Sequence, residues 1–472
     1  MLGMFGVVIL ISGLLSGFIE RSNFPQVAVF LALGTIIGPY GLGLADFGLD
    51  SPVLRAVATL SLTLVLFTDA LTLDLEEVKR HAGLAALILV PGTLLATGLI
   101  GFAAGATLGL ALPMAAILAA PLASTDPVLL RGLLRRSDLP SAARLALRLE
   151  SGLNDVVLLP IVLLAMAVLM PRGESDSFVV LVAKMLIVGP GVGALVAWAG
   201  IRLLEAMRSR LGVRRDYESL YSIGIALAAF AAAESVHSSG YLAAFAAGVT
   251  IAAIDVELCD CFREYGETTA EMLLLFTFVL LGTSLMWAGL SNVNYPLLAF
   301  AFLALLARPL TLLAALWRTR TDARSKRLII WYGPRGLSTL LLILVPVFAE
   351  VPGADRLFHF ATVVVLLSIL VHGGSIMLSG NRARRRSGAV EREDAASGPG
   401  PEPGPEAMTP GELARLMATE DNVWLLDVRS ERSYLDSPDQ LAGSVRLHPQ
   451  FAHREAVQQG VPKDAWAALF CT

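Results

Sequence analysis

The stretch Glu150-Ser-Gly-Leu-Asn-Asp155 places two carboxylic acids inside a hydrophobic segment of the chain. The run VVLLPIVLLAMAVLM follows it directly, so the carboxylates lie at the depth of a membrane span. A charge at the centre of a bilayer costs between about 3 and about 15 kcal/mol, depending on how the cost is measured. We therefore expect these side chains either to pair with buried cationic groups or to bind a transported ion.

The composition of the whole chain is typical of a membrane protein. Charged residues make up 16% of its 472 residues, against about 25% in soluble proteins, and apolar runs repeatedly reach the roughly 20 residues that cross a bilayer. The net charge of −4 gives no reason to expect a nucleic-acid partner. We predict an all-α polytopic membrane protein with about 13 transmembrane helices, at residues 1–19, 24–44, 52–73, 83–109, 111–132, 141–170, 178–204, 216–234, 239–256, 268–289, 295–317, 326–349 and 357–379.

The basic loops predict how the chain is oriented in the membrane, because cytoplasmic loops carry an excess of lysine and arginine. The most basic segments follow the fifth, seventh, eleventh and thirteenth predicted spans, and they are Arg131–Arg148, Arg202–Arg215, Arg318–Arg327 and Arg382–Arg386. All of these spans are odd-numbered. The sequence therefore predicts an outside N-terminus and a cytoplasmic C-terminus, in a cell inner membrane or plasma membrane.

Two of the predicted spans contain helix-breaking residues. Span five carries Thr125-Asp-Pro127, and span twelve carries Gly333-Pro-Arg-Gly336. Proline removes a backbone donor and clashes with the preceding turn, and broken backbone at membrane depth is tolerated only where protein or water satisfies it. If the chain consists of two six-helix halves, both breaks lie in the fifth helix of a half, and the two helices run in opposite directions. This pattern indicates two inverted repeats with discontinuous helices 5 and 12 around an ion site; the alternative is a pair of independent proline kinks.

The polar residues of spans five and six together predict an ion site. Ser151 and Asp155 are four residues apart, so they share a helix face, and Asp155 lies near the middle of its span. Asp126 and the carbonyl group of Thr125, in the break of span five, are the expected neighbours. Such oxygen ligands suit a dehydrated alkali cation, and no other metal or organic cofactor is expected.

Two arginines lie at membrane depth, Arg335 in the break of span twelve and Arg308 in span eleven. One interpretation is that these arginines neutralise both Glu150 and Asp155 and that no ion binds. We predict instead that Glu150 forms a structural ion pair with Arg335, because a buried guanidinium needs a carboxylate. Arg308 is then a second candidate for a buried arginine, and Asp155 is left for the ion.

The combination of Ala123-Ser-Thr-Asp-Pro-Val128, the pattern E-S-x-x-N-D and the later G-P-R-G resembles the monovalent cation:proton antiporter-1 family, which includes the bacterial sodium/proton exchangers. The resemblance covers about residues 1–380. It implies a thirteen-helix fold with a dimerisation domain and a six-helix core domain, and hence a homodimer. The family is made up of secondary transporters, not enzymes, and a role in pH homeostasis follows from its activity.

The resemblance also implies roles for individual residues. Asp155 would carry the ion and the proton, with Asn154 as its partner, and Ser151, Asp126 and the Thr125 carbonyl would complete the site. The family commonly has a glutamate in span three, where this chain has Asp69 in the run FTDALTLD. Asp69 is therefore a further candidate cation ligand.

These residues lead to an expected mechanism of exchange between a monovalent cation and H⁺, with Na⁺ as the first candidate and K⁺ or Li⁺ as alternatives. Desolvation disfavours a charged carboxylate, so a cation and a proton compete for Asp155. An empty charged site is costly to carry through the membrane barrier, so the protein crosses between its inward-facing and outward-facing forms with either ligand bound. A single titrating aspartate beside an uncharged Asn154 favours electroneutral exchange.

The C-terminal part of the chain has a different composition. Residues 381–407 are rich in Pro, Gly and Glu, which is typical of a disordered linker. Residues 408–472 resemble a rhodanese-like domain, in which Asp427 and Arg429 match an Asp-Val-Arg turn and Cys471 matches the persulfide-forming cysteine. Part of a later motif is missing and one residue follows Cys471, so we expect a truncated domain without sulfurtransferase activity. An unrelated small α/β tail is the alternative.

Two other classes of function stay open on the sequence alone. One is a membrane-anchored sulfurtransferase, against which the buried Asp126, Asp155 and Arg335 argue, since an anchor needs none of them. The other is a sensor or channel on a transporter fold, including a transporter that is regulated by sulfur or redox chemistry. Cys259 and Cys261 have a C-x-C spacing that indicates free thiols more than a metal site.

Overall fold

The computed structural model describes residues 3, 6–11, 13–14, 26–73, 75–134, 139–169, 178–211, 215–254, 260–317, 319, 321–377, 410–419, 422–429, 443–447, 452, 455–456, 459–462 and 465–470. Among these, the side chains of residues 75–77, 131–132, 211, 215–219, 260–264, 292, 337, 410–412 and 414 are not described. The chain divides into two compact units, Met1–Ser387 and Gly388–Thr472.

The first half of the larger unit is helical. Its helices are α1 (Gln26–Ile37), α2 (Pro52–Leu71), α3 (Leu75–Arg80), α4 (Ala82–Leu87), α5 (Leu94–Leu108), α6 (Leu112–Ala123), α7 (Pro127–Leu134) and α8 (Ser141–Leu169). A π-helical turn, Ile88–Thr93, joins α4 to α5 and contains Pro91. Because proline has no N–H to donate, the wider turn accommodates it within a continuous span.

The described part of the second half of the larger unit is also helical. Its helices are α9 (Phe178–Ala183), α10 (Gly189–Leu211), α11 (Arg215–Ser235), α12 (Gly240–Ile254), α13 (Asp260–Thr283), α14 (Leu285–Ala288), α15 (Tyr295–Leu316), α16 (Ala323–Trp331), α17 (Leu337–Phe348) and α18 (Ala354–Ser368). Lys184–Val188 is a π-helical turn between α9 and α10, Gly289–Asn292 is a 3-10 turn, and Ile369–Gly373 is a π-helical turn after α18.

The helices confirm an all-α polytopic membrane fold. Among the described residues, 8 helices are long and apolar enough to cross a membrane, and the shorter apolar helices are Gln26–Ile37, Leu220–Ser235, Gly240–Ile254 and Ser338–Phe348. Each predicted span from the second to the thirteenth overlaps one of these helices. Of the first predicted span, 1–19, the structure describes residues 3, 6–11 and 13–14.

Local sequence signals set several helix starts. Ser51 precedes Pro52 and its hydroxyl accepts a hydrogen bond from the Leu54 N–H at 3.5 Å. Asn294 caps α15 by accepting from the Leu297 N–H at 3.0 Å, and Asp322 caps α16 by accepting from the Ser325 N–H at 2.8 Å. Small polar side chains at these positions satisfy amide groups that have no partner inside the helix.

The helices of the larger unit pack in two groups. The helices of the first group contact one another around α2, α12 and α13, and the group includes α1, α10 and α11. The second group contains α5, α6, α8, α15, α17 and α18. Helix α8, which carries the stretch Glu150–Asp155, belongs to the second group and also contacts α2 and α12 of the first. This position places its polar residues between the two groups.

Both predicted helix breaks are present. Helix α6 ends at Ala123, Ser124 is extended with φ −64° and ψ 144°, and α7 begins only at Pro127. Helix α16 ends at Trp331, and α17 begins at Leu337. The Asp126 N–H donates to the Pro334 carbonyl at 3.0 Å, so each break supplies a backbone partner to the other. The interpretation as independent proline kinks is therefore wrong, because the backbone leaves the helical conformation at both places.

The smaller unit contains helix α19 (Pro410–Thr419) and a three-stranded parallel sheet in the order β2-β1-β3. Strand β1 is Val423–Asp427, β2 is Val445–Arg446 and β3 is Trp466–Phe470. Leu426 pairs with Val445 on one side and with Leu469 on the other. Strand β1 lies in the middle of the sheet, and its last three residues are buried.

At the end of β1, the Arg429 guanidinium forms a bidentate pair with the Asp427 carboxylate, with Nη2 at 2.8 Å from Oδ2. Hydrogen bonds from the Arg429 side chain lower the pKa of Asp427 below its ordinary value because they stabilise the charged form. The Asp-Val-Arg turn is therefore an ordered element of this unit. The rhodanese-like interpretation stays a prediction, and Cys471, Cys259 and Cys261 lie outside the residues whose side chains are described.

Candidate ion-binding site

Asp155 lies on α8 opposite the break between α6 and α7. The Ser124 hydroxyl donates to Asp155 Oδ1 at 2.6 Å, and both residues are buried. Ser124 is a site residue that the sequence analysis did not single out, although it immediately precedes Thr125-Asp-Pro127. Its position in a proline-terminated break was the available signal, because a serine released from helical geometry can direct its hydroxyl across to another element.

Asn154 holds the same break from the neighbouring position on α8. Its side-chain amide nitrogen donates to the Thr125 hydroxyl at 2.9 Å and to the Thr125 carbonyl at 3.3 Å. Asn154 is 1% exposed, and its Oδ1 atom has no hydrogen-bond partner within the described part of the chain. Buried polar atoms are normally paired, so this oxygen is an acceptor available to a ligand, on the residue that precedes Asp155.

Asp126 lies in the same break and caps the N-terminus of α7. Its Oδ1 atom accepts from the Val128 N–H at 2.8 Å and from the Leu129 N–H at 3.4 Å, which caps α7. Its other carboxylate oxygen lies against Gly336 of the second break. The structure thus brings Asp126 into the site region, with one carboxylate oxygen engaged by a helix N-terminus.

The other predicted cation ligands are placed less directly. The Ser151 hydroxyl donates to the Arg148 carbonyl of its own helix at 3.3 Å, so in this conformation it does not donate to Asp155. Asp69 is half-buried near the end of α2, a helix that contacts α8. The proposed ligand roles of Ser151 and Asp69 stay predictions.

The predicted ion pair between Glu150 and Arg335 is wrong. Glu150 forms a bidentate pair with Arg308, with Nε at 2.7 Å from Oε1 and Nη2 at 2.6 Å from Oε2. Both side chains are buried. The Arg308 Nη1 atom also donates to the Ile330 carbonyl at 3.1 Å, near the end of α16. Arg308, predicted only as a possible second buried arginine, is therefore the partner of Glu150.

Arg335 is buried in a different environment. Its Nη1 atom donates to the Ala123 and Ser124 carbonyls, at 2.8 Å each. These carbonyls lie at the C-terminal end of α6, where the helix leaves carbonyl groups without amide partners and carries a partial negative charge. The Arg335 guanidinium is therefore bound by a helix end and not by a carboxylate.

Two glycines of the second break are required by close packing. A Cβ atom on Gly333 would overlap the Arg308 guanidinium, and one on Gly336 would overlap the Asp126 carboxylate.

We expect Gly336→Ala to destabilise the protein by about 1–3 kcal/mol, the usual cost of overpacking, and to lower its melting temperature in detergent. Gly374→Ala is the matched control, because a Cβ atom there meets nothing within 4 Å. Equal melting temperatures for the two variants would contradict this packing.

Several known proteins are similar to this chain in sequence or in structure. A family model described as "Sodium/hydrogen exchanger, transmembrane" matches residues 6–378. The chain is 26% identical over 375 residues to the K(+)/H(+) antiporter NhaP of Alkalimonas amylolytica, covering 79% of this chain and 64% of that protein. It is 27% identical over 381 residues to the K(+)/H(+) antiporter NhaP2 of Shewanella sp. (strain ANA-3), covering 79% of this chain and 65% of that protein. The match therefore spans less than two thirds of the length of each relative.

A solved structure has the same fold. The sodium proton antiporter MjNhaP1 from Methanocaldococcus jannaschii, at pH 8, matches with a TM-score of 0.66 and 20% sequence identity, covering 80% of this chain and 97% of that one. The family match extends over both helix breaks and the whole of α8. On this evidence the chain belongs to the sodium/hydrogen exchanger family of membrane proteins.

Proposed function

We propose that this protein is an antiporter that exchanges a monovalent cation for H⁺ across the membrane, with Asp155 as the shared carrier. The observation that carries the proposal is a buried Asn154 Oδ1 atom that has no hydrogen-bond partner among the described residues, on the residue that precedes the buried Asp155. A dehydrated alkali cation is a ligand that such hard oxygens accept. The family match and the relatives named as cation/proton antiporters support the same activity.

The side chains around Asp155 account for competition between the two ions. The Ser124 hydroxyl donates to Asp155 Oδ1. A bound cation would be coordinated by Asp155 Oδ1 and Asn154 Oδ1, and rotation of the Ser124 hydroxyl would turn its lone pairs toward the cation. A proton on Asp155 neutralises the same oxygens and excludes the cation. Because a buried, uncompensated charge is costly, either bound state crosses the membrane barrier more easily than the empty site.

The Glu150–Arg308 pair and Arg335 form the framework of this site and are not ion ligands in this proposal. The pair joins α8 to α15, and Arg335 joins the second break to the end of α6. Together they hold the elements on either side of Asp155. A fixed site of this kind lowers the cost of organising ligands around a dehydrated ion.

The test of the function is proton movement driven by a cation gradient. Everted membrane vesicles containing the full chain are first acidified inside, and a pH-sensitive dye then reports proton efflux when NaCl, KCl or LiCl is added. We expect efflux with at least one of these salts and none with choline chloride. Efflux in this assay runs down the proton gradient, so a second measurement starts with equal pH on both sides and imposes only the cation gradient. Proton movement that then builds up a pH gradient is uphill and excludes a channel or a sensor, which cannot couple two gradients. No efflux with any of the three alkali cations, at confirmed expression, would contradict the proposal.

Na⁺ is the first candidate cation, with K⁺ and Li⁺ as alternatives. The relatives divide on this point, since the proteins from Alkalimonas and Shewanella are named for K⁺ and the one from Methanocaldococcus for sodium. Oxygen sites discriminate among hard cations by cavity size and ligand number. The apparent KM values for the three cations, measured at one pH, will rank them.

Electroneutral exchange is expected to make transport independent of the membrane potential. One proton replaces one cation on Asp155, and the neighbouring Asn154 has no charge to titrate. In proteoliposomes, a potential imposed with an ionophore for a non-transported ion should leave the initial rate unchanged within about twofold, whereas net movement of one charge would couple the rate to about 2.3 kcal/mol per 100 mV. A rate that follows the potential would show that Asp126 or Asp69 also releases a proton.

We also propose a membrane location, an orientation and an oligomeric state for the protein. We place the protein in a cell inner membrane or plasma membrane, with an outside N-terminus and a cytoplasmic C-terminus, as the basic loops predict. The first helix group, built around α2, α12 and α13, would form a homodimer interface while the group that contains α8 carries the ion. Crosslinking of single-cysteine variants on α1 in intact membranes would test the dimer.

A further inference from the structure

We propose that Ser368 and His372 are positioning residues for the cation site and that they act through the backbone amide of Arg335. The inference rests on the proposed function, since it assigns these residues to the site at Asp155. Neither side chain belongs to α6, α7 or α8. They lie at the end of α18 and in the π-helical turn that follows it.

The break between α16 and α17 leaves backbone groups that need partners at membrane depth. Pro334 has no N–H, and its carbonyl accepts from Asp126 of the first break. The next residue, Arg335, donates its backbone N–H to the Ser368 hydroxyl at 2.7 Å. Both residues are buried. The Ser368 side chain therefore replaces the carbonyl that an unbroken helix would have supplied.

The π-helical turn Ile369–Gly373 brings a second side chain onto the same hydroxyl. His372, 5% exposed, places its Nδ1 atom 3.1 Å from Ser368 Oγ. Serine in a helix commonly bonds to a carbonyl of its own preceding turn, whereas here the hydroxyl pairs with His372 Nδ1 and accepts from the Arg335 N–H. With the hydroxyl hydrogen directed to Nδ1, its lone pairs remain available to Arg335. π-Helical turns inside α-helices are frequent at functional sites.

From Arg335 the contacts continue to the candidate ion ligand. The guanidinium binds the Ala123 and Ser124 carbonyls, and the side chain of Ser124 binds Asp155. Three hydrogen-bonded steps thus link Ser368 to the carboxylate, all among buried residues. Since catalytic and binding geometries tolerate displacements of only about 0.5 Å, the anchor on the Arg335 backbone sets where the Ser124 hydroxyl lies relative to Asp155.

The test separates positioning from general stability. Ser368→Ala leaves the Arg335 N–H without its acceptor, and we expect the apparent KM for the transported cation to rise about tenfold while the maximal rate per folded protein changes less than about threefold. Ser368→Thr keeps a hydroxyl and should restore the KM to within about twofold of wild type. His372→Leu should raise the KM, whereas His372→Asn, which keeps an acceptor near the position of Nδ1, should raise it less.

Ser375→Ala is the matched control. The Ser375 hydroxyl lies on the same segment, but it donates to the His372 carbonyl and accepts from the indole N–H of the exposed Trp331. All variants are assayed in proteoliposomes with the amount of folded protein measured by size-exclusion chromatography. An unchanged KM in Ser368→Ala, or the same KM change in Ser375→Ala, would overturn the inference. If the wild-type protein moves no protons in response to any cation, the proposed function fails instead, so the two failures are distinguishable.

Discussion

Asp155→Asn is expected to reduce cation-driven proton movement to the level of vesicles without the protein. The substitution keeps the size of the side chain and can still accept from the Ser124 hydroxyl, which lies 2.6 Å from Asp155 Oδ1. It removes the charge that attracts a cation and the group that binds the proton. Because both transported ions use this one carboxylate in the proposed mechanism, no partial activity should survive.

The same substitution should leave the protein folded. An asparagine at this position removes a buried charge, which by itself is costly at membrane depth. The melting temperature in detergent should therefore stay at or above the wild-type value. Asp50→Asn, an exposed carboxylate before α2, is the control and should retain full exchange. Wild-type rates in Asp155→Asn at matched expression would falsify the assignment of the carrier.

Glu150→Gln is expected to have the largest effect on stability among the site variants. The substitution leaves the buried Arg308 guanidinium without the carboxylate that binds its Nε and Nη2 atoms. Losing one partner of a buried ion pair costs about 3–5 kcal/mol. We expect Glu150→Gln to melt well below both wild type and Asp155→Asn in the same detergent. If Glu150→Gln and Asp155→Asn melt alike, or in the reverse order, their assigned roles are wrong.

A double-mutant cycle tests which arginine is the partner. Arg308→Gln should destabilise the protein about as much as Glu150→Gln, and the double variant should cost much less than the sum of the two. In a cycle of Glu150→Gln with Arg335→Gln, the two losses of stability should be closer to additive, because Arg335 binds backbone carbonyls and not Glu150. The exposed pair of Arg202 and Glu205 on α10, at 3.2 Å, provides a control, and Glu205→Gln there should change stability by less than about 1 kcal/mol.

The span positions followed from the sequence because their physical cause is local. A run of about 20 apolar residues is stable in lipid only if its backbone hydrogen bonds close within the segment, so helices are the one solution for such runs. This argument located helices in every described span. It also located both breaks, because proline and glycine act on the backbone of their own turn. The buried positions of Asp155, Asn154 and Asp126 were predictable for the same reason, since each lies within a span.

The partners of the charged residues could not be predicted in the same way. Glu150 had two candidate arginines in different spans, and the sequence contains no measure of how far α15 and α17 lie from α8. The packing of the helices decides which arginine pairs with Glu150. Helix α15 turns Arg308 toward Glu150, while Arg335 faces the end of α6. Composition favoured a carboxylate as the partner of a buried arginine, but a broken helix end also provides negative potential.

The sequence also did not predict the contacts of three further side chains, Ser124, Ser368 and His372. The sequence by itself determined a membrane fold with two discontinuous helices and carboxylates at membrane depth, because hydrophobic length, proline and glycine act within one segment. Only the tertiary structure decided which hydroxyl reaches Asp155 and which side chain holds the Arg335 amide. Those contacts join residues 31 and 33 positions apart in the chain, and their distances depend on how separate helices cross, which no local pattern of residues specifies.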